Sequence, residues 1–253
     1  MNLLIIEGRK LKRSKLLWIL IAAILIMWIP CVLNADVNFD MEAEGISPEN
    51  NFFIQGFMGF AWFLFPASIV VVTVLIAQTE RKNRGLFKML SLPAHPGGLC
   101  LSKFVILLFL LAAEMLFMVL GYFLSAEAAS GLEHYDFSVD VSMVLRTAGL
   151  VYLASVPMAA LYYMLSVLIT SSVFSVGIGL ALIVPSVLVM NTKAWFVYPP
   201  CYPFRIVTAQ MHDLATKMGS FDYELVPWIP AAAVITVLCI VISCIFFGRG
   251  EVR

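Results

Sequence analysis

The sequence predicts an all-α membrane protein of six transmembrane helices with both termini cytoplasmic, and three observations carry that expectation. Of 253 residues, 62% are apolar and only 13% charged, whereas a soluble domain is nearer half apolar with about a quarter charged. Six long apolar runs hold about half of the chain. The connections between them alternate in the sign of their charge. A chain this short has too little polar surface to cover six apolar helices in water, which excludes an ordinary soluble enzyme. Lys plus Arg and Asp plus Glu are both 16, so no basic excess recruits nucleic acid.

The first run, Leu16 to Leu33, has 18 residues, near the roughly 20 that cross a hydrocarbon core of about 30 Å. It exceeds the ~7–15 residues of a signal-peptide core, and no A-x-A site follows, so it reads as a span. The others are Phe52 to Ala77, Phe104 to Ala126, Thr147 to Ile169, Val173 to Met190 and Trp228 to Phe247. The whole of residues 1–253 reads as one transmembrane domain. Glu114 is the one acidic residue inside any run, and no basic residue lies in one. Near the bilayer midplane an ionised carboxylate costs at least about 2.5 kcal/mol. It therefore serves as a contact between helices, a contact to cationic cargo, or a protonatable carboxyl.

Orientation follows from the cations. Arg9, Lys10, Lys12, Arg13 and Lys15 precede the first run; Arg81, Lys82, Arg84, Lys88 and Lys103 lie between the second and third; Arg249 and Arg253 close the chain. Basic residues mark the cytoplasmic side. Asp36, Asp40, Glu42, Glu44 and Glu49, then Glu127, Glu133, Asp136 and Asp140, occupy the opposite side. Only Thr170, Ser171 and Ser172 separate the fourth and fifth runs, a tight cytoplasmic hairpin. Asn191 to Pro227 is a long external connection holding Trp195, Tyr198, Pro199, Pro200, Tyr202, Pro203, Phe204 and Arg205. Its aromatic residues suit the interface and its prolines break helix. It reads either as an interfacial cap or as a re-entrant gate, the latter allowed at depth only where protein or water satisfies the backbone.

Chemistry of other kinds is missing from the sequence. It has no G-x-x-x-x-G-K-[ST] loop, H-E-x-x-H helix or G-x-S-x-G elbow, so any ATP energy must come from a partner. Cys31, Cys100, Cys201, Cys239 and Cys244 show no metal-ligand spacing. A Cys31–Cys201 disulfide is one reading of them and buried apolar thiols the other. Pro30, Pro66, Pro157, Pro185 and Pro230, with Gly177 and Gly179, are sites of bending or close packing within the runs.

Between the second and third runs, residues 80–93 have room for a helix of two or three turns. At 100° per residue Leu86, Phe87 and Leu90 share one face with Met89 at its edge, and Arg84, Lys88 and Ser91 face away. Such a helix lies on lipid or enters a partner's groove. The order Glu80, Gly85, Leu90, Pro93, Lys103 resembles the permease subunits of type-2 ATP-binding-cassette exporters. The start, Glu7-Gly-Arg-Lys10-Leu-Lys12-Arg13-Ser14, and the end, Phe247-Gly-Arg249-Gly-Glu251, are similar to permeases of lantibiotic self-protection, although the terminal glycines depart from the usual doubled Arg.

That resemblance implies a half-transporter paired with a second permease and two copies of a separate ATPase that binds ATP and Mg. This chain would bind no cofactor itself. Glu80, Arg81, Arg84, Gly85, Leu86, Phe87, Lys88, Met89 and Leu90 would form the coupling helix, and Asn2 to Lys15 an interfacial helix. Glu114, Trp195, Tyr198, Tyr202 and Arg205 would line the path or gate. The cargo would be an amphipathic antimicrobial peptide leaving a bacterial cytoplasmic membrane. The alternatives are the same fold exporting a small hydrophobic drug or lipid-linked molecule, and a non-transporting membrane sensor or scaffold.

Overall fold

A computed structural model describes residues 16–81, 96–215, 221 and 225–247. Among them every regular element is helical, and six helices are long and apolar enough to cross a membrane. The chain is a multi-pass membrane protein. Bilayers admit helices because each backbone N–H and C=O is satisfied within its own segment. For orientation within the molecule, the end carrying Asp36 and Asp136 is called the acidic end and the other the basic end.

The first span is α1, Leu16–Leu33. Its buried residues are Leu16, Leu20, Ile24 and Trp28, a stripe with spacing of four that places one side chain above the next. A 3₁₀ segment, Ala35–Glu44, leads to α2, Pro48–Gly59. Pro48 sits where a missing N–H costs nothing, and Glu49 in the first turn favours the positive helix end. The second crossing is not one regular helix. A π-helical turn, Phe60–Leu64, joins α2 to α3, Phe65–Arg81, with the Phe65 N–H donating to Phe60 O. Pro66 has no N–H for the carbonyl four residues before it, and the wider turn lets the crossing continue past that gap.

The third span, α4, is Pro96–Glu133. Its 38 residues rise about 57 Å, well beyond the ~30 Å hydrocarbon core, so the expected Phe104–Ala126 is only its middle. His134, with φ of 54°, ends the helix in the left-handed conformation that releases the chain. There Tyr122 accepts from the Val139 N–H at 2.9 Å and donates to Phe137 O at 3.2 Å. Phe39, Phe52, Tyr135 and Phe137 pack ring to ring over it, and the Tyr135 hydroxyl donates to Glu49 at 2.6 Å. On the surface beside them Asp136 accepts from the Ser138 hydroxyl and N–H, which holds its carboxyl below the usual range.

The fourth span, α5, is Val141–Leu168. The fifth departs from the continuous helix expected over Val173–Met190. It consists of α6, Ser172–Ala181, a turn through Pro185, and the single turn α7, Ser186–Val189. Pro185 stops α6 because it has no N–H to continue the ladder. Two 3₁₀ turns, Trp195–Val197 and Pro199–Cys201, lead into α8, Tyr202–Leu214. The last span is α9, Leu225–Phe246.

Small residues set the helix separations. An ideal Cβ on Gly56 would fall 2.3 Å from Cη2 of Trp28, and one on Gly121 would fall 2.9 Å from Cδ1 of the same ring. The indole of α1 is thus held between α2 and α4. Likewise Gly179 of α6 would meet Val70 of α3 at 2.6 Å, whereas Gly177 faces open space. Close backbone approach of this kind is how apolar helices associate where lipid competes equally for apolar contact. Interior hydroxyls turn to their own helix: Ser102, Ser155, Ser166 and Ser243 each donate to a carbonyl three or four residues back.

Candidate functional site

The expected path residues do not form one site. Trp195, Tyr202 and Arg205 come together with Trp228 of α9. The Arg205 guanidinium lies 3.8 Å above the Trp195 ring and 4.6 Å from that of Phe221. Its Nη1 donates to Met190 O at 3.0 Å. Trp195 and Tyr202 both pack against Trp228, with ring centroids 5.5 and 5.6 Å away, and the Tyr202 hydroxyl donates to Phe196 O. Guanidinium stacking on an aromatic face suits a site with little water. Tyr198 joins the same segment to the broken fifth span by donating to Leu182 O.

This segment is buried rather than laid on the surface. Trp195, Pro199, Pro200, Cys201, Tyr202 and six of the next seven residues are covered, Phe204 being half-buried. Gln210, near the end of α8, accepts from Thr147 in the second turn of α5 at 3.2 Å. Tyr202, at the start of α8, shares a cavity wall with Pro157, ten residues further along α5. Ten helical residues correspond to about 15 Å. α8 therefore runs from about half-way along α5 out to its acidic end. Its backbone is tolerated at that depth because protein covers it.

Glu114 is separate from the cluster in its bonding. It is fully buried, and among the described residues its one hydrogen-bond partner is Ser68 of α3, with Glu114 Oε2 2.7 Å from Ser68 Oγ. Ser68 Oγ is also 2.8 Å from Phe65 O, yet a hydroxyl has a single proton to give. Both contacts are satisfied together when the carboxyl donates to Ser68 and Ser68 donates to Phe65. The other carboxyl oxygen, Oε1, has no partner. The arrangement joins α4 to α3.

Glu80 and Arg81 close α3. Arg84, Gly85, Leu86, Phe87, Lys88, Met89 and Leu90, with the expected coupling helix, lie outside the described residues, as does the stretch Asn2 to Lys15. The five cysteines are free, so Cys31 and Cys201 do not pair. Among the described residues no three His, Cys, Asp or Glu side chains converge on a metal-sized space. Sequence reasoning missed Ser68, a hydroxyl hidden in an apolar run, and Trp228, taken only as the first residue of a span.

Six helices fit to cross a bilayer and a buried carboxyl bonded between two of them define a polytopic membrane protein. The family model described as ABC-2 family transporter protein matches residues 3–186. The chain belongs to that family, a membrane transport domain that works with an ABC ATPase and is not itself the ATPase. The match ends one residue beyond Pro185, so the Trp195–Arg205 cluster and α9 lie past it. No curated protein and no solved structure matches.

Proposed function

We propose that this chain is the permease subunit of an ATP-driven exporter in a bacterial cytoplasmic membrane, expelling an amphipathic antimicrobial peptide of the lantibiotic type. The family match over residues 3–186, in a sequence with no phosphate loop of its own, supports the permease part of the reading, and the likeness of residues 7–14 and 247–251 to lantibiotic self-protection permeases supports the cargo. Two copies of a separate ATPase bind ATP and Mg, and a second permease completes the pathway. Residues 80–90 seat in the ATPase at the basic end. Closure of the ATPase pair shifts the population from inward or lateral access to outward release. The buried aromatic cluster around Arg205 supports a gate role for Trp195, Tyr198 and Tyr202, since its rings cover the half-way depth from the acidic end. Glu114 braces the helices that flank the path.

The test is transport by the assembled complex in liposomes. A fluorescent lantibiotic-type peptide should move only when ATP and the ATPase are present, and cells lacking the gene should grow less in that peptide. ATP turnover without peptide movement would overturn the cargo assignment, and a sensor or scaffold would move nothing at all.

A further inference from the structure

A groove of about 680 Å³ runs between α5, α8 and α9, with Tyr202 and Trp228 of the aromatic cluster in one wall. Leu150, Leu153, Pro157, Ile206 and Val237 make its walls apolar, and among the described residues Arg146 is the one charged residue lining it. Arg146 is exposed, and no ion pair to it occurs among the described residues. From Arg146 to Pro157 is eleven residues of helix, or about 16 Å, close to the ~15 Å of half a hydrocarbon core. The groove is therefore one leaflet deep, with a guanidinium at its mouth.

That pairing of a leaflet-long apolar slot with a cation at headgroup level complements one kind of molecule, an acyl chain beneath a phosphate. Guanidinium is the side chain best matched to phosphate oxygens, and basic sites between membrane helices hold lipid headgroups. A cationic peptide would be repelled by Arg146, and an uncharged amphiphile would leave it unused. We propose that the groove holds an acyl chain of an anionic glycerophospholipid from the leaflet at the acidic end, with the phosphate on Arg146. Tyr202 and Ile206 line the groove on the same helix as Arg205, so the lipid braces the helix that carries the aromatic cluster. The inference stands whatever the cargo is.

The full-length chain in nanodiscs of phosphatidylcholine, with a trace of phosphatidylglycerol bearing a diazirine at its acyl terminus, supplies the test. After irradiation, labels should concentrate on residues 150–157 and 229–237 above the level on exposed Ile26 and Phe174. Arg146→Gln should lower the groove labelling about tenfold, the loss of one charge-assisted contact, while Arg146→Lys keeps most of it. Ala233→Phe, which fills the groove from the wall of α9, should exclude the label without touching the charge. Unchanged labelling at Ile26 shows that each variant is inserted. Equal groove labelling in wild type and Arg146→Gln, or no enrichment over Ile26 and Phe174, would overturn the proposal.

Discussion

The contact between Ser68 and Glu114 gives an asymmetric stability prediction. Ser68→Ala removes the one partner of a fully buried carboxyl. A stranded polar group costs about 1–3 kcal/mol, and hydrogen bonds between membrane helices run from about 0.6 to about 1.7 kcal/mol. The two ranges overlap at about 1–1.7 kcal/mol, the loss expected. Glu114→Leu removes the carboxyl and fills the space, while Ser68 keeps its bond to Phe65 O, so its cost should lie below about 1 kcal/mol. In the Glu114→Leu background Ser68→Ala should then cost less than in wild type, leaving a coupling of about 1 kcal/mol. Glu114→Gln should behave as wild type, since its amide N–H can donate to Ser68 Oγ. Reversible unfolding of the purified chain in bicelles reads all four. Additive costs would refute the contact, as would a Ser68→Ala variant as stable as wild type. Loss of export in Glu114→Gln at normal complex yield would instead make Glu114 a cargo contact.

Gly56→Ala should cost about 1–3 kcal/mol by overpacking, because its Cβ falls against the Trp28 ring, whereas Gly59→Ala, with nothing within 4 Å, should not; thermal unfolding in detergent separates them. Arg205→Gln removes the guanidinium from Trp195 and Phe221 and its bond to Met190 O, so stability should fall by about 2 kcal/mol and Trp fluorescence should shift. An unchanged midpoint and spectrum would contradict the packing described. Charged replacements of both Leu86 and Phe87 should weaken capture of the ATPase while the permease stays inserted, as co-purification would read. Normal capture and ATP turnover after that change would sink the coupling assignment.

The six helices were legible because hydropathy acts over about 20 residues at a time, and the α1 stripe of Leu16, Leu20, Ile24 and Trp28 follows from helical period alone. Direction is harder to read than crossing. The run from Val173 to Met190 is predominantly apolar, yet the helix breaks between Ala181 and Ser186 at Pro185. The same tyrosines and prolines of residues 195–203 suit an interfacial cap and a buried return segment equally. Only packing against α9, remote in sequence, shows that Trp195 and Tyr202 are covered. Ser68 looks like any small residue in an apolar run until Glu114 lies 2.7 Å from its hydroxyl. Arg146 stands next to the fourth run as a flanking charge does, and only the packing of α8 and α9 beside it makes a groove.

Coupling to the ATPase requires that the basic end of the bundle face the cytoplasm. Cysteines placed singly at Lys88 and Ser138, in a chain whose five native cysteines are replaced, can be challenged with a membrane-impermeant maleimide in intact cells and in inverted vesicles. Position 138 should react in cells and position 88 only in inverted vesicles. Labelling of position 88 from outside intact cells would put the basic end beyond the reach of a cytoplasmic motor.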